Sequence, residues 1–106
     1  MAEEGTWVTV ASASRLEPGD IAGAKVGEAE IAVYNVDGAF YATSNICTHA
    51  HAMLSDGWLD GDAVECPLHA GRFDVKTGKA LCPPVEIDLQ TYPVRVIGDD
   101  IQVRIG

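Results

Sequence analysis

Cys47-Thr48-His49 and Cys66-Pro67-Leu68-His69 stand with 16 residues between them in a chain of 106. Each short pair offers one thiolate and one imidazole, the side chains that most often hold transition metals. Four ligands divided in this way suit a centre with two unlike metal positions, one held by sulfur and one by nitrogen. A neutral imidazole carries less negative charge than a thiolate, so the nitrogen-held position would accept an electron more readily. Zinc also takes two Cys and two His. Its knuckles usually open with two Cys a few residues apart, whereas here each half mixes Cys with His. His51 lies two residues beyond His49 and could replace it as a ligand, or stand as a partly exposed loop residue. Cysteine–histidine hydrolysis has less support, because no third orienting residue or oxyanion-binding arrangement is recognisable. Cys82 is left over from the odd count of three cysteines, and its expected role is that of a small buried apolar residue.

The elements that must position these ligands read as strands and turns. Trp7-Val8-Thr9-Val10 and Glu30-Ile31-Ala32-Val33-Tyr34 are rich in β-formers. Asp37-Gly38 separates the second run from Ala39-Phe40-Tyr41-Ala42, which predicts a tight hairpin. Tyr92-Pro93-Val94-Arg95-Val96-Ile97 and Ile101-Gln102-Val103-Arg104-Ile105 alternate in polarity around Gly98-Asp99-Asp100, predicting a second, half-buried hairpin. Long helical periodicity is absent. The expectation is an all-β fold, an antiparallel sandwich or small barrel. Residues 44–84 hold all the Cys and His, with turn pairs Asp56-Gly57, Asp60-Gly61, Thr77-Gly78 and Pro83-Pro84. They read as a loop-rich, ligand-carrying subdomain inserted in the β scaffold.

Composition bounds the partners. The length suits one domain, residues 1–106, with a single core, and 47% apolar with 22% charged residues is ordinary for a folded chain. No apolar run reaches the roughly 18–20 residues of a membrane span. The acidic start, Met1-Ala2-Glu3-Glu4-Gly5, lacks the pattern of a secretory signal, so a cytoplasmic location is expected. A net charge of −9 argues against nucleic acid and anionic membranes and favours partners with basic patches. Asp56, Asp60, Asp62 and Glu65 all lie between the two ligand pairs, beside the site that such a partner would approach.

The stretch from Cys47 to His69 resembles the signature of Rieske proteins, C-x-H followed by C-x-x-H. Asp56-Gly57, Gly71-Arg72-Phe73-Asp74, Gly78-Lys79-Ala80-Leu81-Cys82-Pro83-Pro84 and Thr91-Tyr92-Pro93-Val94 extend the likeness over most of the chain. It is nearest to the small Rieske-type ferredoxins of bacterial aromatic-ring dioxygenase systems. The resemblance implies one 2Fe–2S cluster, with Cys47 and Cys66 on one iron and His49 and His69 on the outer iron. It implies a monomeric electron carrier with no catalytic residues, placed between a flavin-containing ferredoxin reductase and a terminal Rieske oxygenase. Pro83 and Pro84 would cover the cluster or form a plain turn between strands, while Trp58, Leu68 and Phe73 are candidates for an apolar shell excluding water or for ordinary core. A docking face would then surround Ala50, His51, Ala70 and Pro83.

Departures from the family's quinol-oxidising branch sharpen this. That branch joins its two cluster loops by a disulfide, and the matching positions here are Ala52 and Leu68. It also donates hydroxyl hydrogen bonds toward the cluster where this chain has Gly71 and Phe73. Fewer donors stabilise the reduced, more negative cluster less, so a potential low in the Rieske range of about −150 to +300 mV is expected. The alternatives carried forward are a Rieske-like small subunit of a nitrite reductase complex and a zinc-stabilised interaction module.

Overall fold

A computed structural model describes residues 6–47, 52–67, 71–82 and 87–105. They form three antiparallel sheets. The first, in the order β1–β11–β10, joins β1 (Thr6–Ser12), β11 (Asp100–Ile105) and β10 (Val94–Ile97). A second contains β2 (Ile21–Val26), β3 (Ala29–Val36), β4 (Ala39–Ser44) and β9 (Thr91–Tyr92), in that order. The third runs through β5 (Trp58–Asp60), β6 (Ala63–Glu65), β7 (Arg72–Asp74) and β8 (Ala80–Cys82). Only two short 3₁₀ turns, Ala13–Arg15 and Leu54–Asp56, interrupt the strands among the described residues.

Strand β3 is the wall between two cores, where the length suggested a single one. Successive side chains of a strand point to opposite faces, and here both faces are covered. Ile31 and Val33 pack with Leu16, Ala42, Ile101 and Val103 between the first and second sheets. Ala32 and Tyr34 pack with Leu54, Val64, Phe73, Val75 and Leu89 toward the third sheet. Burial on both sides explains why this run is continuously apolar instead of alternating.

The predicted hairpin at Asp37-Gly38 is present. Both residues have positive φ, 52° and 93°, the left-handed pair that a two-residue turn of this hand requires. Asn35 holds it, accepting the Gly38 N–H at 2.7 Å and donating to the Leu16 carbonyl at 2.7 Å.

Three expectations change here. The run Tyr92–Ile97 is not one strand, because Pro93 divides it. Thr91 and Tyr92 pair with β4, whereas Val94–Ile97 pairs with β11, so the chain changes sheets at the residue that has no N–H to give. Alternation also fails in β10, where Val96 and Ile97 are both exposed. Finally, the segment read as loop-rich carries four short strands as well as its loops.

Candidate metal centre

Cys47 and Cys66 each open the tip of a hairpin, and both tips are closed in the same way. The Cys47 N–H donates to the Ala52 carbonyl at 3.0 Å, and the Cys66 N–H donates to the Gly71 carbonyl at 2.7 Å. In each case the acceptor lies five residues further on. The enclosed stretches are where the pattern puts its histidines, His49 in the first and His69 in the second. Both histidines, along with His51, Ala50, Leu68 and Ala70, lie outside the described residues, as do Pro83 and Pro84.

The necks beneath the tips are braced by different means. In the first, Ile46 bridges Met53, and the buried Asn45 works on both sides of its backbone. Its N–H donates to the Glu30 carbonyl and its own carbonyl accepts the Leu54 N–H, each at 2.8 Å. The Asn45 side chain accepts the Ser55 N–H at 2.8 Å and donates to Ser55 Oγ at 3.0 Å. A buried amide with its groups paired fixes one geometry, since leaving any of them unpaired would cost about 1–3 kcal/mol. The sequence reading missed Asn45, although a polar residue two positions before a candidate ligand was the available signal.

The second neck is the β6–β7 pair, with Glu65 opposite Arg72. Gly57 permits a close approach here. A Cβ on Gly57 would lie 2.0 Å from the Glu65 carbonyl oxygen and 3.2 Å from Pro67 Cδ. The Asp56-Gly57 pair is therefore a packing requirement of the second ligand loop as well as a turn. Beyond the loop, Asp74 Oδ1 accepts the N–H groups of Lys76 at 2.8 Å and Thr77 at 3.3 Å, and Gly78 continues the turn with φ 79°.

Burial brings the two candidate sulfur ligands into one cluster. Cys47 is 3% exposed and Cys66 is 2% exposed, in one cluster with Leu54, Phe73 and Leu89. Two thiols at the buried base of two loops fit a sulfur-held metal kept from water. Among the described residues, which include neither histidine of the pattern, no group of three His, Cys, Asp or Glu side chains comes together.

Phe73 belongs to the expected apolar shell, being fully buried beside the cysteines. Trp58 does not, and the register explains it. Trp58 pairs with Glu65 and Glu65 with Arg72, while Leu59, Val64 and Phe73 form the neighbouring inward row. The pleat therefore turns Trp58 outward, and it is 54% exposed. Cys82 is half-buried at the edge of the same sheet, opposite Arg72, so it is not the core residue expected. Of the four acidic residues between the ligand pairs, two are already engaged within the chain. Asp60 meets Arg72 at 2.5 Å and Asp62 meets Lys76 at 3.5 Å.

Comparison with known proteins separates the two metals. A Ralstonia sp. protein described as the ferredoxin component of naphthalene 1,2-dioxygenase/salicylate 5-hydroxylase systems is 53% identical over 90 residues, spanning 85% of this chain and 86% of its own. A chain from the solved complex of reduced oxygenase and oxidized ferredoxin in carbazole 1,9a-dioxygenase superposes with a TM-score of 0.89 at 42% identity, covering 95% of this chain and 94% of that one. A Mycobacterium tuberculosis structure assigned as an NADH-dependent nitrite reductase small subunit superposes at 0.85, with 26% identity over 98% and 99% of the two chains. The model of the Rieske [2Fe-2S] domain matches residues 6–93, from the first strand through the second ligand loop to the Pro93 sheet change. Zinc is thereby set aside: the chain belongs to the Rieske [2Fe–2S] family, and its cofactor is one 2Fe–2S cluster.

Proposed function

We propose that this chain is a one-electron carrier, passing electrons from a flavin-containing ferredoxin reductase to a terminal aromatic-ring dioxygenase. Cys47 and Cys66 would hold the buried iron, and His49 and His69 the outer one. The bound cluster supplies a site that takes up and gives back a single electron at constant ligand set. The chain's own residues do the rest. Asn45 and the two cysteine N–H bonds hold the loop necks, and Phe73 and Leu54 keep water from the thiolates. Gly71 and Phe73 bring no hydroxyl to the cluster, which favours a low potential and the role of donor. The carrier makes and breaks no substrate bond, so it works as an electron-transfer component and not as an enzyme. It acts as one domain, as a monomer, in the cytoplasm; among the described residues no helix is long and apolar enough to cross a membrane.

The observation that carries this reading is the pair of cysteine-closed hairpin tips with both thiols buried in one cluster. The nitrite reductase alternative shares the fold, but at 26% identity against 53% for the dioxygenase ferredoxin component. Reconstitution tests the choice. With NADH, a flavin-containing ferredoxin reductase and the terminal oxygenase of a naphthalene dioxygenase system, product formation should depend on adding this chain. Product formed equally well without it, or none with it, contradicts the proposal.

A further inference from the structure

The third sheet has two unlike faces. Leu59, Val64, Phe73 and Ala80 look into the core around the cysteines. Trp58, Glu65, Arg72 and Cys82 form the first outward row, followed by Asp60, Ala63 and Asp74. Leaving an indole more than half in water forgoes the burial that stabilises large apolar side chains.

The location of Trp58 is fixed tightly with respect to Cys66. Its sheet partner Glu65 is the residue before Cys66, and the backbone of Gly57 beside it lies against the Glu65 carbonyl and Pro67. Trp58 thus stands at the neck of the second ligand loop. The rows around it are acidic, with Glu65, Asp60 and Asp74 against one cation, Arg72, which Asp60 engages at 2.5 Å. An exposed aromatic inside an acidic rim calls for a partner surface with an apolar pocket and basic edges.

We propose that Trp58 anchors this chain on its terminal oxygenase, with the acidic outer face of the third sheet as the rim of the contact. This rests on the carrier reading given above. Electron transfer weakens steeply with distance, so the oxygenase must seat against the end of the molecule that holds the ligand loops. At such an interface, binding energy concentrates in a few aromatic or Arg anchors, surrounded by contacts that exclude water. The charged rim contributes to encounter rate and orientation more than to affinity. The oxygenase is the partner of choice because the relative at 42% identity was solved in a complex of oxygenase and ferredoxin.

The test compares wild type, Trp58→Ala and Trp58→Tyr, each carrying its cluster. Stopped-flow mixing of the reduced proteins with a naphthalene dioxygenase-type oxygenase gives the second-order rate. Reduction of the oxidised proteins by the reductase gives a separate rate, and spectrum and midpoint potential report the cluster itself. Trp58→Ala should slow transfer to the oxygenase by about 10–30-fold, the effect of losing one interface anchor. Trp58→Tyr should recover most of that rate, while reductase rate, spectrum and potential stay at wild-type values. A wild-type oxygenase rate in Trp58→Ala overturns the proposal, as does a loss confined to the reductase step or a shifted potential. If wild type itself reduces no aromatic-ring oxygenase, the carrier reading falls and this surface falls with it.

Discussion

Gly57→Ala is the substitution whose consequences the structure defines most closely. The added Cβ would stand 2.0 Å from the Glu65 carbonyl oxygen, well under the 3.0 Å that real Cβ atoms keep. One side must move by about 1 Å, and both sides are backbone, so no rotamer change relieves the clash. The Glu65 oxygen belongs to the same planar peptide as the Cys66 nitrogen. Turning that plane away from residue 57 also turns the Cys66 N–H that closes the second loop on Gly71 at 2.7 Å. Overpacking of this kind costs about 1–3 kcal/mol, and the weakened loop-closing bond adds about 1 kcal/mol. For a domain of this size each kcal/mol lowers Tm by roughly 4–8 °C, so a fall of about 8–32 °C is expected. Gly61→Ala is the control in the same sheet. It introduces only the left-handed strain of φ 64° into open space, about 1–2 kcal/mol, at a turn away from the ligands. Melting followed by circular dichroism, with iron loss to a chelator followed in parallel, separates the two. Gly57→Ala should lose iron much faster than wild type, and Gly61→Ala should lose it at close to the wild-type rate. Wild-type melting and iron retention in Gly57→Ala would refute the close-approach argument.

Other outcomes follow from the same geometry. Burial raises the Tyr34 phenol well above its ordinary pKa of 10.0, opposed by the Thr43 hydroxyl, with which it shares a 2.7 Å hydrogen bond. Tyr34 therefore stays protonated in the fold while the unfolded chain ionises above about pH 10, and stability falls as pH rises from there. Urea titrations across pH 9–11 should show this alkaline loss in wild type and a smaller one in Tyr34→Phe, which itself costs about 1 kcal/mol at neutral pH. On the proposed ligand assignment, His69→Cys should lower the midpoint potential and alter the spectrum, because a thiolate adds negative charge. His51→Ala should leave both unchanged; the reverse pattern would exchange the two histidines' roles. Cys82→Ser should keep full iron and sulfide, and alkylation of the native protein should modify Cys82 without bleaching the cluster.

The cofactor was legible because metal chemistry restricts residue type and spacing together. The hairpin at Asp37-Gly38 was legible because few residue pairs accept two left-handed positions in succession. Trp58 was misplaced because its residue type gives no sign of which face it takes. A one-residue step in a pleated strand exchanges core for solvent, and strands of three residues give too little pattern to fix the choice. Pro93 was visible in the sequence, but the alternation around it suggested one strand. That the two sides of Pro93 pair in different sheets is a property of long-range contacts. The roles of Gly57 and Asn45 depend on a backbone approach and a buried hydrogen-bond set, neither of which composition reports. The acidic cluster was read correctly as charge but not as availability, since Asp60 and Asp62 already meet Arg72 and Lys76.

The central claim is that two cysteine–histidine loops hold one mixed-ligand 2Fe–2S cluster, and electron paramagnetic resonance tests it most directly. Protein purified with its full complement of iron and sulfide should be silent as isolated. After anaerobic reduction with dithionite it should give a rhombic signal with the low average g of nitrogen-ligated clusters. A spectrum of the all-thiolate type, or no signal from protein fully loaded with iron and sulfide, would contradict the ligand set from which the account is built.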